Sequence, residues 1–246
     1  MCEECQTGEA VVHKGALRRR FLKAAGGVAA SLALLQPGFA KGRRPSPKPQ
    51  NDIPPAAALK RLMAGNERYV EGRSLRHDFK REREALVGGQ NPYAAVLSCA
   101  DSRIAPEYAF DSGRGDLFVC RVAGNFANDD TVASLEYATA ILGTPLCFVL
   151  GHESCGAVDA TIKSLRDNTT LPGHLPSLVD NLAPSVEASA DQPGDKLQNA
   201  IRQNVVDTVA KLKSATPILK SAVEQGKLSI VGGVYRLKDG KVELIA

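Results

Sequence analysis

Apolar residues recur along this chain in two alternating patterns. Continuous apolar runs bounded by polar or glycine-rich segments predict buried strands, at 93–98, 117–122, 146–150 and 228–235. Apolar residues at helical spacing predict helices, at 57–70, 77–87, 129–142, 155–165 and 197–212. A turn at 238–240 precedes a short final strand at 241–245, and 168–193 is predicted as loops around one helix. Strands that alternate with helices predict an α/β fold, a single domain with a mainly parallel sheet flanked by helices.

The first forty residues have the pattern of an export signal. A basic segment at 18–23 is followed by an apolar run at 24–35 and by the small-residue site Gly38-Phe39-Ala40. The segment resembles the twin-arginine signal, with Arg20 at the free position. We therefore expect a signal peptide at 1–40, a proline-rich linker at 41–54 and a catalytic domain at 55–246. The mature protein would be periplasmic or otherwise exported and would have no membrane span; the alternative is a basic helix in the cytosol.

Charge and cysteine content narrow the class of protein. The chain has 246 residues and a formal net charge of +4. Residues 1–40 hold five of the 31 basic and three of the 27 acidic side chains, which leaves the mature part at +2. So small a charge argues against nucleic-acid or membrane binding. Cleavage after residue 40 would leave four cysteines, Cys99, Cys120, Cys147 and Cys155.

Two short motifs, each after a predicted strand, carry the candidate chemistry. Cys99, Asp101 and Arg103 follow the first strand, and His152 and Cys155 follow the third. Functional sites of parallel sheets collect at the carboxyl ends of strands. Two thiolates and an imidazole suit zinc, and we expect His152 and Cys155 to lie within one turn at a helix start.

Three protein ligands leave one position of a tetrahedral ion open, as in catalytic zinc sites. Asp101 or water would be the fourth ligand. Cys120 and Cys147 lie inside strand patterns and are predicted to be small buried hydrophobic residues. A disulfide between Cys99 and Cys155 and a structural zinc site are the alternatives.

The ligand charges also bear on mechanism. Two thiolates cancel the formal charge of zinc, so a bound water should be less acidic than on a three-histidine zinc, and activity should favour mildly alkaline pH. Asp101 could orient zinc hydroxide or could bind zinc itself and block the site. Arg103 would hold Asp101 in the first state, so that the two act as a gate. A purely local ion pair is the alternative for Asp101 and Arg103.

These motifs resemble those of the β-class carbonic anhydrases. The segments that match are 99–103, 116–121, 123–125, 136–138, 151–156 and 233–237. The resemblance implies one zinc ion per subunit, held by Cys99, His152 and Cys155, with the Asp101–Arg103 gate beside it. It also implies strand order 2-1-3-4 with the final strand at the edge, which would place Cys120 and Cys147 two strands apart.

The resemblance further implies a substrate site built between subunits of a homodimer or higher homo-oligomer. Gln90 falls where the family places a glutamine that binds substrate or bicarbonate. Gly156, the last residue of the second motif, is also expected to be a substrate-binding residue. Phe118 and Tyr137 match channel positions supplied across the dimer interface. Val96 stands where members with an allosteric bicarbonate site carry tryptophan, so that regulation is not expected here.

The function implied is the reversible hydration of carbon dioxide to bicarbonate and a proton by zinc hydroxide attack. Two alternatives stay open. One is a carbonyl sulfide or carbon disulfide hydrolase on the same scaffold, because the sequence does not show the shape of the channel. The other is a non-catalytic protein that binds zinc or bicarbonate.

Overall fold

A computed structural model describes residues 52–246, and the predicted signal peptide and most of the predicted linker lie outside these residues. Five strands form one sheet: β1 (Ala94–Ser98), β2 (Leu117–Arg121), β3 (Leu146–His152), β4 (Ser229–Tyr235) and β5 (Val242–Leu244). The order in the sheet is β2-β1-β3-β4-β5, with β5 antiparallel at one edge and the other pairs parallel. The predicted α/β fold with strand order 2-1-3-4 and a final edge strand is confirmed.

The two central strands are buried along their whole length. Every residue of β1 and β3 is shielded from solvent, as continuous apolar runs in a parallel sheet covered on both faces should be. In the register, Ser98 at the end of β1 pairs with Arg121 of β2 and with Leu150 of β3. The carboxyl ends of β1, β2 and β3 therefore meet at one edge of the sheet.

Eight helices occur among the described residues: α1 (Pro55–Val70), α2 (Phe79–Ala85), α3 (Pro106–Ala109), α4 (Asp129–Ala140), α5 (Gly156–Arg166), α6 (Pro176–Ala188), α7 (Lys196–Ser214) and α8 (Ile218–Glu224). The start of α4 is fixed by a capping box, in which the Asn128 side chain accepts from the Thr131 amide and the Thr131 hydroxyl accepts from the Asn128 amide. None of these helices is long and apolar enough to cross a bilayer.

Glycines in β3 and β4 bring α7 close to the sheet. A Cβ added at Gly151 or Gly232 would lie 2.6 or 2.5 Å from Val205 of α7. The buried Asn204 side chain, also on α7, donates a 2.7 Å hydrogen bond to the Gly124 carbonyl. Helix α7 thus contacts both the end of β3 and the connection after β2, the two segments that border the strand ends.

The structure corrects four sequence-based expectations. His152 is the last residue of β3 and Cys155 is the N-cap of α5, so the two do not share a helical turn. Cys120 is half-buried, not buried. Helix α2 is shorter than predicted because it starts at its Asp78 cap. Helices α3 and α8 were not predicted, since segments of four and seven residues are too short to show a helical period.

Candidate metal centre

Three metal-ligating side chains converge where β1 and β3 end. Cys99 directly follows β1, His152 ends β3, and Cys155 precedes α5. One donor atom from each lies within 4.8 Å of the others, and the two Sγ atoms are 4.0 Å apart. All three residues are buried, with exposed fractions of 3%, 0% and 1% in that order. The described cysteines are all free, so the alternative of a Cys99–Cys155 disulfide is not what the structure shows.

The imidazole of His152 has one nitrogen engaged and one available. Nδ1 lies 2.8 Å from the Glu153 carbonyl oxygen, which can only accept, so the proton belongs on Nδ1. Nε2 is buried without a hydrogen-bond partner among the described residues. A buried nitrogen lone pair aimed at two thiols, with the opposite nitrogen fixed by a carbonyl, is the arrangement of a zinc-binding histidine. The donor set therefore fits zinc.

Glu153 holds the carbonyl that orients His152. Its amide donates to the Tyr235 carbonyl at 3.0 Å, and its carboxylate accepts from the Leu237 amide at 3.0 Å. The next residue, Ser154, has φ 54° in the left-handed region, which turns the chain sharply towards Cys155. This role of Glu153 was not predicted, although its place in the sequence between two predicted ligands was a signal.

Hydrogen bonds favour a thiolate at Cys99. The hydrogen bond that the Cys155 thiol donates is the largest cause that lowers the pKa of Cys99 to about 4, with smaller contributions from His152 and the Gly124 amide and against the opposing effect of burial. The Gly124 amide lies 3.3 Å from Cys99 Sγ. Donating that hydrogen bond raises the pKa of Cys155. The metal-free pair therefore carries one negative charge, and a bound cation would draw off the second proton.

Asp101 and Arg103 form a two-pronged ion pair beside the cluster. Arg103 donates from Nε to Asp101 Oδ1 at 2.9 Å and from Nη2 to Oδ2 at 2.7 Å, and its amide also donates to Oδ1 at 2.9 Å. The guanidinium also reaches the Ser154 carbonyl at 3.1 Å. These hydrogen bonds hold the pKa of Asp101 well below its usual range. Oδ2 lies 3.8 Å from His152 Nε2, so the carboxylate borders the place where an ion would bind.

Of the predicted substrate residues, Gln90, Phe118 and Tyr137 are not brought to this cluster within one chain, whereas Gly156 is. Gln90 is exposed and precedes the amino end of β1, whereas Cys99 follows its carboxyl end. Phe118 pairs with Ala95, four residues before Cys99, about 13 Å back along the sheet. Its ring lies 6.2 Å from that of Tyr137, which is 48% exposed. Gly156 lies next to the cluster as the first residue of α5.

Comparison with known proteins agrees with this geometry. The family described as carbonic anhydrase matches residues 94–242. Carbonic anhydrase 2 of Mycobacterium tuberculosis is 40% identical over 191 residues, covering 77% of this chain and 92% of that protein. The carbonic anhydrase of Mycolicibacterium smegmatis is 39% identical over 191 residues, covering 77% of this chain and 93% of that protein.

The fold agrees as well. The solved structure of the β-carbonic anhydrase CcaA superposes with a TM-score of 0.58 at 29% identity, covering 76% of this chain and 95% of that one. Sequence and fold thus point to the same group of enzymes, and the matched residues 94–242 include the metal centre. The chain belongs to the carbonic anhydrase family and, within it, to the β class.

Proposed function

We propose that this chain catalyses the reversible hydration of carbon dioxide to bicarbonate and a proton, with one zinc ion per subunit. The observation that carries the proposal is the buried cluster of Cys99, His152 and Cys155 with an ionised Asp101 at its border. Three neutral or anionic donors from a rigid sheet edge would hold the ion and leave one position for water or substrate.

When bound, zinc supplies a Lewis acid that provides a nucleophile from water near neutral pH. The chain's own groups hold and orient the reactants. Asp101 Oδ2 is placed to accept a hydrogen bond from the attacking water. This hydrogen bond would orient the water so that a lone pair of the water oxygen faces carbon dioxide. Arg103 keeps that carboxylate ionised and, through its two hydrogen bonds, would hold it back from binding the ion itself. If Arg103 released it, Asp101 could occupy the open position itself, which is the closed state of the gate.

The substrate channel in this proposal is completed by a second copy of the chain. Phe118 and Tyr137 form an aromatic pair whose tyrosine is half exposed. Phe118 lies level with Ala95, about 13 Å along the sheet from the level of Cys99. An exposed aromatic pair suits an interface, where aromatic residues are enriched. A homodimer or larger homo-oligomer would bury this pair and could present it to a neighbouring site. Sedimentation of the mature protein tests this, and a strictly monomeric active enzyme would refute it.

The function is tested by metal content together with the rate of carbon dioxide hydration against pH. We expect one zinc per chain and a rate that rises into mildly alkaline pH, since two anionic ligands make a bound water less acidic. Chelation should abolish the rate and zinc, added back, should restore it. Sulfide release from carbonyl sulfide and carbon disulfide is measured on the same sample. Zinc-loaded protein that is inactive on carbon dioxide at pH 8–9, or faster on the sulfur substrates, would contradict the proposal.

We also propose that the chain is exported through its twin-arginine segment. The support is the sequence pattern of residues 18–40. Replacing Arg18 and Arg19 together by lysine should retain the precursor in the cytoplasm, whereas the control Lys23→Arg should be exported normally. Fractionation with a mass measurement of the mature chain reads out both. Normal export of the double variant would reject this route.

A further inference from the structure

The loop of residues 99–104 carries both a metal ligand and the gate carboxylate, yet it has no regular secondary structure. Two main-chain hydrogen bonds support it: the Ala100 amide donates to the Val122 carbonyl at 3.2 Å, and the Ile104 amide donates to the Asp101 carbonyl at 3.2 Å. Both are longer than the usual optimum for such bonds. The precision required of Asp101 must therefore come from side chains that hold this loop.

Arg121, the last residue of β2, holds three main-chain carbonyls of the loop. Its Nε donates to the Cys99 carbonyl at 3.0 Å, and its Nη2 donates to the Asp101 carbonyl at 2.7 Å and to the Ile104 carbonyl at 2.8 Å. The Cys99 carbonyl also accepts from the Ser98 hydroxyl, at 3.2 Å. Arg121 is exposed overall, but these contacts join the first residue, the gate residue and the last residue of the loop.

The geometry of guanidinium explains why arginine suits this position. Its donors lie in one rigid plane and carry positive charge, so they fix the spacing between acceptors in a way that a flexible ammonium does not. Asp101 is then held at both ends, its carbonyl by Arg121 and its carboxylate by Arg103. A shift of about 1 Å in a positioned group can cost about 100-fold in rate.

We propose that Arg121 is a positioning residue for the reaction, which sets the path of the 99–104 main chain so that the Asp101 carboxylate faces the substrate position. This inference rests on the proposed function. It predicts that loss of Arg121 lowers turnover for each bound zinc ion, because the loop relaxes while Cys99, His152 and Cys155 still bind the metal.

The test compares Arg121→Met and Arg121→Lys with Arg202→Met, which removes a surface arginine paired with Glu243 on β5. Zinc content, kcat, KM and amide hydrogen exchange by peptide are measured on each full-length mature protein. For Arg121→Met we expect stoichiometric zinc, a kcat lowered about 10- to 100-fold, a KM within about twofold, and faster exchange confined to the peptide that covers the loop. Arg121→Lys should recover part of kcat, and Arg202→Met should match the wild type.

Three outcomes would overturn the inference. The first is a normal kcat for each bound zinc in Arg121→Met, the second is a loss of activity that only follows the loss of zinc, and the third is faster exchange throughout the sheet. If Arg121→Met does not fold, Arg121→Lys is judged by the same criteria. A zinc-loaded wild type that does not hydrate carbon dioxide would reject the proposed function instead, whereas loop exchange that does not respond to Arg121 would reject this inference alone.

Discussion

Two pairs of cysteines lie in the same region of the sheet and have opposite chemistry. Cys99 and Cys155 lie just beyond strand ends, where hydrogen bonds from the Cys155 thiol and the Gly124 amide help to lower the pKa of Cys99 to about 4. Cys120 and Cys147 lie within β2 and β3, on either side of β1. Burial raises the pKa of Cys147 to about 12 and raises that of the half-buried Cys120.

The difference shows that position along a strand decides what a cysteine can do. Within a strand the neighbouring amides are engaged in the sheet, so no backbone amide is left to stabilise a thiolate. The hydrogen bond between Ser134 and Cys120 does not offset the effect of burial on the pKa of Cys120. Beyond the strand end the chain turns, and an amide such as that of Gly124 becomes free to point at sulfur. A cysteine beyond a strand end is therefore suited to bind a metal, whereas a cysteine at the level of Leu97 or Ala95, two or four residues before Cys99, is a small apolar residue.

The largest expected effect comes from removing a cysteine at the sheet edge. Cys155→Ala should lose its zinc and with it at least about 99% of activity, because two remaining ligands cannot retain the ion. Cys147→Ala, which removes a cysteine inside a strand, should keep one zinc per chain. Elemental analysis after dialysis reads out both. Stoichiometric metal in Cys155→Ala would mean that the ligand assignment is wrong.

The next effect separates metal binding from turnover. Asp101→Ala and Arg103→Ala should each keep zinc but lose about 100-fold in kcat, since the carboxylate that orients the nucleophile is absent or free to turn. Arg166→Ala, which breaks an exposed arginine–aspartate pair on α5, is the matched control and should be neutral. Near-normal rates in the Asp101 or Arg103 variant would refute the gate.

A smaller effect should appear in how the free energy of unfolding of the protein changes at alkaline pH, because Cys147 lies inside a strand. Burial raises the pKa of the Cys147 thiol from its ordinary value near 9 to about 12. The folded state thus binds the proton more tightly, and the stability that this contributes is lost as the pH rises from 9 to 12, by about 1.4 kcal/mol for each pH unit. Denaturant unfolding of Cys147→Ala should show a shallower decline over this range than the wild type. Parallel declines would contradict the burial of this thiol.

The smallest effect is one of reactivity. At pH 9 iodoacetamide should modify Cys120 faster than Cys147 in the zinc-loaded folded protein, because Cys120 is half-buried and Cys147 is 1% exposed. Peptide mass spectrometry follows each site separately. In denaturant the rates of modification of the two cysteines should become equal. If Cys147 reacted as fast as Cys120 in the folded state, the difference in their burial would be contradicted.

The sequence was most informative where local pattern decides structure. Helix α4 was predicted because apolar residues repeat at helical spacing, and the structure adds that Asn128 caps its start. Cys99, Asp101 and Arg103 could be assigned to one site from the sequence, because they lie within five consecutive residues after one strand and must therefore be close in space. The connection between His152 and Cys155 could not be predicted, because it depends on a left-handed Ser154. The role of Arg121 could not be predicted either, because its three carbonyl partners come together only when β1 and β2 pair.

The contact between Cys99 and Cys155 spans 56 positions of the chain, and this separation has a consequence for folding. Joining two points so far apart removes conformational freedom from the unfolded chain, worth about 4 kcal/mol for a rigid cross-link of that loop length. An ion held at this crossing would act as such a link, and its binding would be coupled to the order in which β1 and β3 assemble. The melting temperature should accordingly rise with free zinc concentration. The metal would then determine the stability of the folded chain as well as its catalytic activity.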